Sequence, residues 1–491
     1  MAQSLIDIGT IPSLMYINGQ WTESVSQKTF ATVEPATREM LASVPRGGQE
    51  DVDRAVQAAR ETFESAQWQE MRADERARKL WQVAQLIRKE KATLAKLESL
   101  DTGKPLSQAQ ADVEAAARYF EYYAGMADKI FGETIPVSPG ILDYTVREPI
   151  GVSAHIVPWN YPLQITGRGV AAAIATGNTV VIKPAEDTPL TALYLAYLVE
   201  QAGFPPGVYN VVTGYGHEAG DALANHPDVD HITFTGSVQT GSKVMAAASR
   251  NIKPVTMELG GKSPNILFDD CDQEEALNWV VRSIVQNAGQ TCSAGSRLIL
   301  HRNIYDQFVE QVVRRMATLT LGIGINNPDL GPIINDKQGS RIEQLVEQGK
   351  QEGARILTGG ERVLVEEAPH GFFFKPTVVE GLGPDSCLAQ EEIFGPVLTV
   401  FLFEDEEEAV QLANGTPYGL VTGIWTKQIA RAHRMAKKIR AGQIFINNYG
   451  AGGGVEMPFG GYKKSGFGRE KGLEALRNYT QLKNVAVKIG D

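Results

Sequence analysis

The chain has 491 residues, 43% of them hydrophobic and 21% charged, enough for two or three full-sized domains; a disulfide-stapled module, a fibrous repeat and wholesale disorder are excluded. With 47 Lys and Arg against 58 Asp and Glu, the net charge of −11 opposes attachment to nucleic acid or anionic lipid, so neither nucleic acid nor membrane is expected as a partner. Three cysteines, Cys271, Cys292 and Cys387, cannot all pair and form no CxxC spacing, which fits a reducing, cytoplasmic setting. Glycine is the outlier: 49 residues exceed the usual share of about 7%, a surplus that serves tight turns and close approach of backbone to ligands.

In chain order, residues 1–21 lack a basic segment followed by an apolar run, so no secretory signal is expected. Leu80, Val83, Ile87, Leu94 and Leu97 recur at helical spacing and predict one amphipathic helix over 73–100, followed by another over 105–123. Residues 132–147 interrupt the helices. From Gly151 onward short β-branched runs alternate with helical segments, the pattern of a parallel sheet with crossover helices. Strands are expected over 152–157, 179–182, 209–212, 231–234 and 254–257, with helices around Ala171 and over 190–200, 219–223 and 243–248. The most apolar stretch, 170–182, is broken by Thr176, Gly177 and Asn178 and falls short of the roughly 18–20 residues that span a bilayer. A second α/β run starts near Asn265, with strands over 298–301, 397–403 and 444–447 and helices over 276–285 and 305–316. The fold class is therefore α/β with two lobes. Residues 485–489 alternate like an edge strand, and they or 132–147 could extend a neighbouring subunit's sheet. The cluster Gly450–Gly454 is the sole low-complexity linker.

The seven histidines form no HExxH pair or His–Cys cluster, so no metal is expected, and no GxSxG elbow is present. Residues 236–241 resemble the start of a phosphate loop, but Ser242-Lys243 reverses the required order. Two glycine segments each follow a strand and open a helix: Gly214-Tyr-Gly216-His-Glu-Ala219, which matches the dinucleotide fingerprint, and Phe234-Thr-Gly236-Ser237. Spacing does not choose between them. Cys292 lies among small residues in Gln-Thr-Cys-Ser-Ala-Gly-Ser-Arg, as a reactive thiol needs, although a lone cysteine is more often inert. Asn160 in Pro-Trp-Asn-Tyr-Pro adds an amide donor, and Glu258 in Glu-Leu-Gly-Gly-Lys adds a carboxylate. Thiol, amide and carboxylate are the parts of an acyl-transfer mechanism.

The motifs PWNYP, IKPAE, FTGS, ELGGKSPN, GQTCSAGSR, EEIFGPV and PFGGYKKSGFGRE together resemble those of NAD(P)-dependent aldehyde dehydrogenases. The likeness runs from about Tyr16 to the C-terminus, and betaine-aldehyde and other amino-aldehyde members look most similar. The resemblance implies two Rossmann-like lobes plus a small β oligomerisation arm: an NAD-binding domain over 1–130 and 149–258, a catalytic domain over 259–469, and an arm from 131–148 and 470–491, assembled as a homodimer or homotetramer. It makes Cys292 the nucleophile that carries a small-molecule aldehyde as thiohemiacetal and then thioester. Asn160 and the Cys292 backbone N–H hold the oxyanion, and Glu258 is the general base.

For the cofactor, the resemblance places Lys183 and Glu186 at the adenosine ribose, Gly236 and Ser237 at the pyrophosphate, and Glu392 and Phe394 at the nicotinamide ribose, with Val157, Trp159 and Leu259 along the same wall. A carboxylate at Glu186 favours NAD over NADP, although Lys183 could tolerate the extra phosphate. Tyr161, Tyr449 and Phe459 fall at the aldehyde tunnel, where aromatic faces suit an aryl aldehyde or, by cation–π attraction, an ammonium group that Glu456 would also draw. Glu470 matches either a proton-relaying acid or an ion-pair partner holding the C-terminal segment. Glu258 argues for hydrolysis over transfer to coenzyme A, and together with Cys292 and Asn160 it argues against a silent structural protein.

Overall fold

The apolar, β-branched runs become the strands of two largely parallel sheets in the computed structural model, which describes residues 13–450 and 454–490. The first sheet has five parallel strands in the order Tyr209–Val211, Thr179–Lys183, Val152–Ile156, His231–Thr235, Val255–Glu258. Antiparallel strands close its edges, Met15–Ile17 with Gln20–Thr22 on one side and Gly466–Phe467 on the other. Every residue of Thr179–Lys183 is buried because helices cover both faces. Val180 and Ile182 pack toward helices Leu106–Ala124, Pro162–Ala175 and Leu190–Gln201, whereas Val181 packs toward Gln49–Glu64 and Val238–Ser249.

The chain lays down Val152–Ile156 first, builds outward on one side, then crosses back to place His231–Thr235 on the other. Strand order therefore reverses between these two strands, and the crevice beyond their carboxyl ends is where open α/β sheets bind ligands. Residues 157–160 and 236–237 flank it.

The second sheet runs Arg355–Thr358, Thr377–Glu380, Val397–Phe403, Arg297–His301, Pro264–Leu267, Val421–Trp425, Gln443–Ile446, all parallel except the first. Leu298 and Leu300 face helices Gln273–Val285 and Tyr305–Ala317, while Ile299 faces Glu406–Asn414 and Ile429–Lys438. Residues 259–263 alone join Glu258, at the carboxyl end of the first sheet, to Pro264, at the amino end of the second. That short connection brings the two sheet ends together.

Three local expectations are corrected. The helix expected over 73–100 is two helices, Ala73–Lys89 and Lys91–Thr102, parted at Glu90, whose ψ of 16° leaves the helical region. The second piece packs against both Leu106–Ala124 and Leu190–Gln201; the apolar spacing stays in phase across the break and so conceals it. The helix expected over 219–223 is a single π-helical turn, Gly216–Gly220, running into Asp221–Asn225. The edge strand expected over 485–489 is Thr480–Lys488, because its pairing with Ile141–Pro149 begins with Thr480 opposite Pro149. Thr134–Ile135 pairs on the other side of Ile141–Pro149, completing a three-stranded sheet. Of the segments named from sequence, residues 1–12, 451–453 and 491 lie outside the described residues. Among the described residues no helix is long and apolar enough to cross a membrane, and no cluster of His, Cys, Asp and Glu could hold a metal.

Candidate active site

Helix Gln273–Val285 ends in a turn in which Asn287 (φ 49°) and Ala288 (φ 53°) adopt left-handed backbone conformations. Non-glycine residues seldom hold such angles, and where they do the surroundings must enforce them. Here the enforcement is visible. Gly289 follows at φ +75°, packed so closely on Gly395 that a Cβ would collide with its backbone. Gln290 accepts from the Ile334 N–H at 3.0 Å and donates to the Asn287 carbonyl at 3.0 Å. Past the thiol, the Tyr449 hydroxyl donates to the Ser293 carbonyl at 2.8 Å. On the opposite flank a Cβ on Gly261 would lie 2.5 Å from the Cys292 carbonyl oxygen. Cys292 is thus a half-buried thiol on a loop held from several directions.

Asn160 extends from the carboxyl end of Val152–Ile156 and is buried. Its Nδ2 donates to the Gln290 carbonyl at 3.0 Å; an amide nitrogen carries two N–H groups, so the second remains for a ligand. Its backbone carbonyl accepts from Lys104 Nζ at 2.9 Å and Asn287 Nδ2 at 3.1 Å. Lys104 is fully buried between Asp112 at 2.5 Å and Glu98 at 3.5 Å. Sequence reasoning did not single out Lys104, Glu98, Asp112 or Asn287. Nothing local marks Lys104 as buried, because its partners are set by the packing of helices around it.

Glu258 ends the fifth strand of the first sheet, 2% exposed, and neither carboxylate oxygen has a hydrogen-bond partner among the described residues. Burial, reinforced by Glu470, raises its pKa well above the usual carboxylate value, with Arg168, Arg469 and Lys471 opposing. Burial also pushes the Cys292 thiol up to about 12, Arg168 pulling it down and Glu392 and Glu258 adding to the rise. At neutral pH the thiol is therefore protonated and needs a base to react.

Glu470 forms a buried ion pair with Arg168 and accepts from Thr233 Oγ1 at 2.9 Å. Arg168 and Lys471 each lie 5.3 Å from the centroid of the buried Phe459 ring. Tyr161, also buried, has Lys104 Nζ 4.2 Å from its ring centroid. Arg168 was missed as well, yet it had a signal: it is the lone cation in the otherwise uncharged, buried helix Pro162–Ala175.

On the other side, exposed Ser237 caps helix Val238–Ser249, its Oγ accepting from the Thr240 N–H at 3.2 Å. Gly236 donates to the Glu258 carbonyl at 3.0 Å. The helix N-terminus opens on the crevice where strand order reverses, and its N–H groups could hold a pyrophosphate. The competing segment, 214–219, lies one strand beyond Thr179–Lys183, and its Gly216 N–H donates instead to the Glu186 carboxylate.

Lys183 Nζ lies 3.0 Å from Glu186. Burial raises the Glu186 pKa, but Lys183 and backbone N–H donors outweigh it and hold the group below its usual value. Burial also lowers the Lys183 pKa, with Glu186 opposing. Val157 donates to the Lys183 carbonyl at 3.0 Å, and Leu259 packs on Gly241. Glu392 accepts from the Gly261 N–H at 2.9 Å, and burial raises its pKa to about 7; Gly260 lies so close that a Cβ would strike its carboxylate. Phe394, left-handed at φ 56°, stands edge-on to Trp159 with centroids 5.3 Å apart, while Gln338 donates to the Ile393 and Phe394 carbonyls, both at 3.0 Å.

Comparison with known proteins agrees with this architecture. Residues 21–485 match the Aldehyde dehydrogenase family. The chain is 44% identical over 474 residues to a betaine aldehyde dehydrogenase of Bacillus subtilis (strain 168), covering 96% of each chain. It is 45% identical over 480 residues to a hydroxyisobutyraldehyde dehydrogenase of Mycolicibacterium austroafricanum, covering 97% of this chain and 94% of the relative. An NAD+ complex of an aldehyde dehydrogenase from Bacillus cereus superposes with a TM-score of 0.95 at 46% identity, covering 97% of this chain and 96% of that one. With near-complete coverage in both sequence and fold, the chain belongs to the aldehyde dehydrogenase family and is an oxidoreductase acting on aldehydes.

Proposed function

We propose that the protein oxidises an aldehyde to its carboxylic acid, with NAD as hydride acceptor and a thioester on Cys292 as intermediate. The observation that carries this reading is the convergence, where the two sheet ends meet, of a half-buried thiol, an amide with a spare N–H and a buried carboxyl without a hydrogen-bond partner. An aldehyde has no leaving group, so a nucleophile must first convert it to a tetrahedral adduct. The Sγ proton, which the raised thiol pKa keeps in place at rest, leaves as Cys292 attacks, to Glu258 or to solvent. As Cys292 attacks, the second N–H of Asn160 and the Cys292 backbone N–H hold the developing oxyanion.

NAD, when bound, supplies the hydride acceptor that turns the adduct into a thioester. With the Sγ proton passed to solvent, the Glu258 carboxylate takes a proton from water as that water attacks the acyl carbon and returns it to the departing sulfur, which releases the acid and restores the thiol. A general base in this position supports water as acyl acceptor over a thiol such as coenzyme A. Asn160→Ala should lower kcat by about 10²–10³-fold, the scale of one lost oxyanion donor; steady-state rates within threefold of wild type would contradict this role.

The cofactor groups fit NAD. The capped helix N-terminus at Ser237 suits a pyrophosphate, Glu186 the adenosine ribose hydroxyls, and Glu392 with Phe394 and Trp159 the nicotinamide end. Because Lys183 is engaged by Glu186, it offers little to a 2′-phosphate. Glu186→Ser, which frees Lys183 and removes a repelling charge, should raise the NADP/NAD ratio of kcat/KM at least about tenfold, equivalent to about 1.4 kcal/mol. An unchanged ratio would refute the assignment. The three-stranded arm leaves Leu142, Leu482 and Val487 exposed, which supports its burial against a second copy in a dimer or tetramer. NADH fluorescence across an aldehyde panel, with the acid product identified by mass spectrometry, tests the reaction as a whole.

A further inference from the structure

A cationic substrate would need aromatic faces open to it, and two of the three rings expected at the tunnel, Tyr161 and Phe459, already carry cations. Lys104 stands over Tyr161, and Phe459 meets both Arg168 and Lys471. Glu456, the acid that could draw a cation, pairs with Arg118 at 2.8 Å. At Tyr161 and Phe459 a substrate ammonium group would meet like charges.

Arg168 has the opposite preference. It is 7% exposed; its Nη2 is taken by the Glu470 carboxylate, while its Nε has no hydrogen-bond partner among the described residues. Buried donors without acceptors are costly, and a guanidinium, with five N–H groups, can serve two carboxylates at once. The charge of Arg168 is felt at the Cys292 thiol and at Glu258. Glu470, the carboxylate paired with Arg168, leaves the Arg168 Nε without an acceptor, which an incoming anion would supply.

We propose that the aldehyde bears a carboxylate: an ω-oxo acid whose anionic end accepts hydrogen bonds from Arg168 while its carbonyl carbon reaches Cys292. This substrate class rests on the Cys292 mechanism proposed above. It also separates the chain from its betaine-aldehyde relative, to which it is no more similar than to the hydroxyisobutyraldehyde one.

The test compares kcat/KM of the full-length enzyme with NAD for a short series of ω-oxo carboxylates, their methyl esters and ω-amino aldehydes of equal length. An oxo acid should exceed its methyl ester by at least about 30-fold, the range of one charge-assisted hydrogen-bonded pair, and the amino aldehydes should be poorest. Arg168→Gln should bring the acid/ester ratio close to one. Because that variant leaves Glu470 without its cation, the double variant Arg168→Gln/Glu470→Gln, which removes both charges, provides the same readout if the single variant does not fold. An ester or amino aldehyde equal to the oxo acid in the wild type, or an acid/ester ratio that survives the substitutions, overturns the proposal. NADH formation from other aldehydes that disappears in Cys292→Ala would leave the Cys292 mechanism standing while this substrate class falls; no NADH from any aldehyde would remove both.

Discussion

Cys292→Ala is expected to lower kcat/KM by at least about 10⁴-fold for every aldehyde, since without the sulfur no adduct forms from which hydride can leave. Neither remaining cysteine can substitute. Cys271 is buried beyond the strand Pro264–Leu267, and burial pushes its thiol up to about 12; Cys387 is buried in a helix start beside Glu352 and pushed up to about 11, by burial first. Neither has an amide or a base placed like Asn160 and Glu258. The variant should fold normally, because Cys292 is only half-buried and its loop is held by Gln290, Tyr449 and Gly261 rather than by sulfur. Thermal unfolding close to wild type together with absent NADH formation is the expected pair of results; activity within tenfold of wild type would refute the nucleophile.

Glu258→Gln carries the second large effect, a fall in turnover of about 10³-fold, the mid-range for a lost general base. Wild-type kcat should rise with pH as Glu258 ionises, at a pH well above the usual carboxylate range because burial raises its pKa. In the glutamine variant that rise should vanish. Stability moves the other way. A carboxyl whose pKa is raised by folding favours the native state while protonated, so its contribution is full below the unfolded pKa and is lost as pH climbs toward the folded one. Glu258→Gln has no such loss, so its Tm advantage over wild type should widen from weakly acidic to neutral pH. A Tm difference that narrows over this range would contradict the burial argument.

Much of this site was legible because its chemistry lies in short local motifs. Pro158 to Pro162 ends a strand and starts a helix, so Asn160 had to emerge at a sheet end. Glu258, Gly260 and Gly261 fall in the five-residue connection's immediate neighbourhood, where close backbone approach calls for glycine. The two glycine segments, 214–219 and 234–237, were indistinguishable in sequence because both are strand-to-helix turns. Sheet order separates them: only the second lies where the order reverses.

Other features needed tertiary structure. Glu90 breaks a helix whose apolar spacing continues in phase, and Lys104 is buried by elements distant in sequence. The aromatic residues Tyr161 and Phe459 suggested cation–π attraction, but composition does not reveal whether a ring's face is already taken. Arg168 was the exception among the missed residues, since a lone charge in a buried helix asks for a function from sequence alone.

The central claim is that the aldehyde passes through a thioester on Cys292. Rapidly quenched Glu258→Gln enzyme, mixed with aldehyde and NAD and examined by intact-protein and peptide mass spectrometry, tests it most directly. The predicted result is a mass gain equal to the aldehyde less two hydrogens, located on the peptide that contains Cys292. NADH formation with no acyl adduct, or an adduct on Cys271 or Cys387, would contradict the account.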